Sequence, residues 1–139
     1  LSAQPESVRN MVASINDSLK QGKLVPNVPF GMEALFRQSV QPYMISWYKY
    51  NPQQVIKELK IPVLIVQGEN DIQVLVEDAE LLKKAAPSAT LLLIEKMNHV
   101  LKDCDTVDPQ KQMAVYTNPS LPVNATLISS LSSFIKEKK

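Results

Sequence analysis

Two residues of this chain have types and surroundings suited to chemistry: Asp71 and His99, the latter the only histidine present. A carboxylate set against one imidazole nitrogen fixes the ring's tautomer and steadies its protonated form, while the other nitrogen takes a proton from a nucleophile. Asp71 lies in Gly68-Glu69-Asn70-Asp71-Ile72-Gln73-Val74, directly after the run Ile61-Pro62-Val63-Leu64-Ile65-Val66-Gln67. His99 lies in Glu95-Lys96-Met97-Asn98-His99-Val100, just past Ala89-Thr90-Leu91-Leu92-Leu93-Ile94. Taken singly, each has a plainer use: Asp71 as a turn or helix-capping residue, His99 as a loop histidine satisfied by its neighbours. What favours an acid–base pair is that each stands at the end of one of two successive aliphatic runs.

Those runs are the elements that must position the pair. Residues 61–68 are continuous, aliphatic and β-branched, and end in glycine, which predicts a strand buried on both faces, as a parallel sheet requires. Residues 76–86 carry Ala79, Leu82 and Ala86 on one helical face, and Pro87-Ser88 stops that helix. A second buried strand over 89–94 completes a strand–helix–strand unit with an expected right-handed crossover. In a parallel sheet the ligand crevice forms beyond the carboxyl ends of the strands. Both the Asp71 loop and the His99 loop lie there if the two strands are neighbours.

The combination of Ile61 to Val74, the Ala79-Glu80-Leu81-Leu82 helix, Ala86-Pro87, a strand and Met97-Asn98-His99 closely resembles the acid-to-histidine half of α/β-hydrolase esterases and related peptidases. The similarity covers roughly residues 53–101, and the stripe Leu127, Ile128, Leu131, Phe134 and Ile135 in 124–136 resembles the final helix of that fold. The fold class implied is α/β: the C-terminal part of an α/β-hydrolase sheet over 53–139, preceded by a helical, lid-like segment over 1–52. On the resemblance Asp71 is the triad acid and His99 the triad base, in the family's chain order of acid before histidine. Leu75 departs from the pattern, where the family often has proline; this touches the start of a helix and not the chemistry.

In the lid-like segment, Val8, Met11, Val12, Ile15 and Leu19 predict an amphipathic helix over 5–20 closed by Gly22, and the Pro-rich stretch 25–31 predicts a loop. Residues 32–50 predict two helices meeting near Pro42, and a short helix is expected over 53–59. The large side chains of 32–50 are either helix packing or a pocket wall. On the second reading Met32, Phe36, Tyr43 and Trp47 line an acyl site. Between Met97 and Val123 the periodicity is poor, and the expectation is loop with one turn of helix.

The nucleophile elbow of this family, G-x-S-x-G, needs two glycines four positions apart, and the only glycines here are Gly22, Gly31 and Gly68. The serine is therefore expected upstream of Leu1, in a protein of roughly twice this length. The expected activity of the intact protein is hydrolysis of a small-molecule carboxylic ester or related acyl bond, with no metal or organic cofactor. The 139 residues alone are expected to be inactive. The alternative is a non-catalytic binding or oligomerisation domain that kept the architecture.

Composition narrows the field further. Charges of 15 Lys and Arg against 14 Asp and Glu leave no field to attract nucleic acid. No apolar run is long enough for a membrane span. The lone Cys104 precludes an internal disulfide and favours a reducing, cytoplasmic location. A two-stranded remnant would leave an uncovered sheet edge through which the piece could self-associate.

Overall fold

In the computed structural model, which describes residues 4–138, the chain forms two compact units that divide between Asn51 and Pro52. Among the described residues there are seven helices and two strands, a mixed α/β chain.

The first unit is helical. Helix α1 (Glu6–Lys20) buries Val12, Ile15 and Leu19, one stripe at three- and four-residue spacing. It ends at Gly22, whose φ of 75° lets the backbone turn back so that Lys23 N–H reaches Ser18 O at 3.0 Å. Helices α2 (Glu33–Phe36) and α3 (Gln41–Tyr48) follow the Pro-rich loop. The break between them falls at Arg37, which is extended, and Pro42 sits inside the first turn of α3, where no amide hydrogen is needed. Phe36 closes the core over α1, with Met32, Met44, Ile45 and Tyr48 packed around it. Gln41, fully buried, moors the loop to α3: its side-chain oxygen accepts from Val25 N–H at 2.8 Å, and its nitrogen donates to Val25 O at 2.8 Å and Phe36 O at 2.7 Å.

The second unit opens with α4 (Pro52–Glu58) and holds the sheet. Strand β1 (Leu64–Gly68) pairs in parallel with β2 (Thr90–Ile94), in a register running from Leu64 opposite Thr90 to Gly68 opposite Ile94. Helix α5 (Val76–Ala85) makes the crossover. Side chains alternate across the sheet. Ile65 faces a cluster with Ala79, Ala86 and Ala89, joined by Ile56, Val63, Leu82 and Leu91. Val66, Leu92 and Ile94 face the other way, onto Met97 and Leu127 of α7 (Ala125–Glu137). The sheet is thus covered by α4 and α5 on one side and α7 on the other.

Three expectations need correction. Strand β1 begins at Leu64 rather than Ile61, because Pro62 has no amide hydrogen for a ladder and Ile61 is left exposed. The strands are only half-buried at Leu64, Val66, Leu91, Leu92 and Leu93, since a sheet of two strands has an open edge on each side. The stretch expected to be loop contains a two-turn helix, α6 (Pro109–Tyr116). Asp108 caps it by accepting from Gln110 and Lys111 N–H at 3.1 and 2.9 Å, and Pro109 starts it.

Candidate active site

The loop after β1 and the loop after β2 are locked to each other through their backbones. Glu69 N–H donates to Ile94 O at 3.0 Å, and Asn70 N–H donates to Met97 O at 3.1 Å. So close an approach requires Gly68: a Cβ there would stand 2.2 Å from Met97 O and 2.7 Å from its carbonyl carbon. Asp71 and His99 are carried on these two loops, one on each.

The pair meets directly, with His99 Nδ1 2.9 Å from Asp71 Oδ2. The acid's other oxygen, Oδ1, accepts from Gln73 N–H at 2.8 Å and Val74 N–H at 3.0 Å, so the loop wraps its own carboxylate. Burial of the carboxyl works to raise its pKa. The Val74 and Gln73 N–H groups, together with His99, outweigh that effect and hold the acid below its ordinary value. An ionised carboxylate can only accept, so Nδ1 carries the hydrogen and Nε2 is the basic nitrogen. Among the described residues Nε2 has no hydrogen-bond partner. The His99 side chain is 39% exposed, whereas that of Asp71 is 8% exposed. The carboxylate is sheltered and the imidazole is the more exposed of the two.

The base loop is built around Asn98. Its side-chain oxygen accepts from Val100 N–H at 3.2 Å and Lys102 N–H at 3.1 Å, spanning the backbone on which His99 stands. Leu101 takes a φ of 62° within that turn, and Met97 pairs with Asp103 across it. Asn98 and Met97 are both 1% exposed, so the loop that aims His99 is rooted in the interior. Helix α6 secures the acid loop: Gln112, fully buried, donates to Asn70 O at 2.9 Å and Thr106 O at 2.6 Å, and Asn70 Nδ2 donates to Cys104 O at 2.6 Å.

Sequence reasoning did not single out Gln67, Asn98 or Gln112. A glutamine inside an aliphatic strand, and the Asp108-Pro109 helix start, were the signals available. No cluster of three or more His, Cys, Asp or Glu side chains suited to a metal occurs among the described residues. No described helix is long and apolar enough to cross a membrane.

The four pocket residues lie in the first unit. Phe36, Tyr43 and Trp47 line an open apolar groove of about 390 Å³ between α1 and α3, together with Leu35, Val40 and Met44. The rings of Tyr43 and Trp47 meet at a tilt of 57° with centres 4.5 Å apart, and both residues are more than half exposed. Met32 is part of the packing around Phe36 rather than of the groove wall. No protein-family model, curated protein or solved structure matches the chain.

Proposed function

We propose that this chain supplies the acid and base of a serine hydrolase acting on a carboxylic ester or related acyl bond, with Asp71 as the acid and His99 as the base. The observation that carries the reading is the 2.9 Å contact between Asp71 Oδ2 and His99 Nδ1 beyond the carboxyl ends of adjacent parallel strands, with Nε2 unbonded among the described residues. In such a site Nε2 removes the proton of an attacking hydroxyl and later returns it to the leaving group, while Asp71 stays ionised and stabilises the imidazolium. No Ser, Thr or Cys side chain hydrogen-bonds His99 among the described residues, and in this reading the nucleophile is an upstream serine. The resemblance of residues 53–101 to α/β-hydrolases supports a serine on a strand-to-helix turn upstream. The groove at Phe36, Tyr43 and Trp47 is suited to an apolar acyl group, and a cytoplasmic location fits the single cysteine.

The test is fluorophosphonate labelling of the intact gene product purified from its own cells. The expected result is a single serine adduct that the 139-residue chain alone does not form. His99→Ala in the intact protein slows labelling by on the order of 10³-fold or more. A native product that takes no adduct overturns the reading and leaves a binding domain built on the same architecture.

A further inference from the structure

Gln67 is the only polar side chain in β1, and it is 7% exposed. An interior amide is costly unless its hydrogens are used, so what it bonds to indicates why a polar side chain stands there. Its Nε2 lies 3.0 Å from Gly68 O, 3.0 Å from Val74 O and 3.4 Å from Asp71 Oδ2. The first two carbonyls are the start and the end of the acid loop. One amide group therefore ties that loop into a ring.

The connection to Asp71 runs through both carboxylate oxygens. Val74, whose carbonyl Gln67 holds, is also the residue whose N–H fixes Oδ1 at 3.0 Å. The third contact is with Oδ2, the oxygen that meets His99. At 3.4 Å it is long for a hydrogen bond, so its role is directional more than energetic. Released from Gln67, the far end of the loop would carry the Val74 N–H away from Oδ1. The carboxyl would then be free to turn about its broad terminal torsion.

We infer that Gln67 is the positioning residue of the acid–base pair, closing the loop of residues 68–74 and holding Asp71 Oδ2 against His99 Nδ1. The inference rests on Asp71 and His99 working as a pair, and it concerns how that pair is held, not what it hydrolyses.

The test uses the 139-residue chain with ¹⁵N-labelled histidine, reading the ring's tautomer above its titration range and the Asp71 carboxyl by ¹³C shift. Gln67→Met keeps length and removes the donor; Gln67→Glu keeps shape and places a carboxylate beside Asp71. The expected result is a His99 ring held as the Nδ1–H form in the wild type and falling to a mixture of both tautomers in either folded variant. The Asp71 titration rises by about one pH unit in Gln67→Met and further in Gln67→Glu. A variant with a native-like amide spectrum, an unchanged Nδ1–H tautomer and an Asp71 titration within about 0.3 unit of wild type overturns the inference.

The wild type supplies a measurement free of any folding defect. The Gln67 side-chain amide hydrogens are expected to exchange slowly with water, and exchange as fast as that of exposed glutamines would equally overturn it. An unchanged tautomer leaves the hydrolase reading standing, whereas a missing fluorophosphonate adduct leaves the Gln67 assignment standing.

Discussion

Gly68→Ala isolates the packing on which the site depends. The φ of Gly68 is not in the left-handed region, so the cost of an alanine there is steric alone. Its Cβ would have to move from 2.2 Å to at least 3.4 Å from Met97 O, and that atom is backbone and cannot swing aside. A shift of about 1.2 Å between the loops stretches two bonds now at 3.0 and 3.1 Å, Glu69 N–H to Ile94 O and Asn70 N–H to Met97 O. Each lost bond costs about 1 kcal/mol, and overpacking adds about 1–3 kcal/mol before relaxation. The expected loss is about 3–5 kcal/mol, read as a lower urea midpoint with an unchanged slope. The same displacement parts Asp71 from His99, so the Nδ1–H tautomer should be lost. Gly22→Ala is the contrasting variant, since nothing lies within 4 Å of its Cβ and only its φ of 75° is unfavourable; it should cost about 1 kcal/mol and leave the tautomer intact. A Gly68→Ala chain within about 0.5 kcal/mol of wild type, with its tautomer preserved, would refute the steric argument.

Asp71→Asn tests the electrostatics. Because the folded-state pKa of Asp71 is lowered, its stabilising contribution is fully present above the ordinary carboxylate value and is lost as pH falls through the lower folded value. The stability gap between wild type and Asp71→Asn should therefore shrink below about pH 4 in urea titrations, and a gap that widens there would contradict the assignment. Met97→Ala, at a position 1% exposed beneath the base loop, should cost about 2–5 kcal/mol by the same assay. Trp47 is the only tryptophan and stands in the groove wall, so a medium-chain fatty acid seated there should shift its emission; no change up to millimolar ligand would argue against an acyl role for Phe36, Tyr43 and Trp47. The open edges of the two-stranded sheet predict concentration-dependent association in sedimentation, and a compact monomer at high concentration would count against it.

Helices α1, α4, α5 and α7 are legible because their apolar residues recur at helical spacing between clear start and stop residues, Pro5 and Gly22 for the first, Asn124 for the last. The two strands are legible as aliphatic runs, but their burial is not, because burial is a property of the layers around a strand rather than of its own composition. Helix α6 escapes periodicity since its one buried residue is the polar Gln112. Its capping pair Asp108-Pro109 was the readable signal. The meeting of Asp71 and His99 follows from strand adjacency, which places Gly68 beside Ile94. The amides that hold the two loops were not legible, because a buried glutamine or asparagine announces only that it needs partners and not which loop will supply them.

The hydrogen bonds that hold the Asp71 carboxylate and shape the backbone around Asn98 lie within residues 67–112. Gln67 and the Gln73 and Val74 amides hold the acid, Asn98 shapes the base loop, and Gln112 braces the acid loop from α6. Most of these contacts are to backbone atoms, whose positions the paired strands and the capped helix already determine. Asp71 and His99 therefore need no substrate and no further chain to reach 2.9 Å. A base oriented in advance saves the reorganisation that would otherwise accompany proton transfer. The consequence is directional: in the proposed hydrolase an upstream serine is recruited to an orientation His99 already holds, so replacing the serine that a fluorophosphonate labels should leave the ring's tautomer unchanged, whereas replacing Asp71 should not.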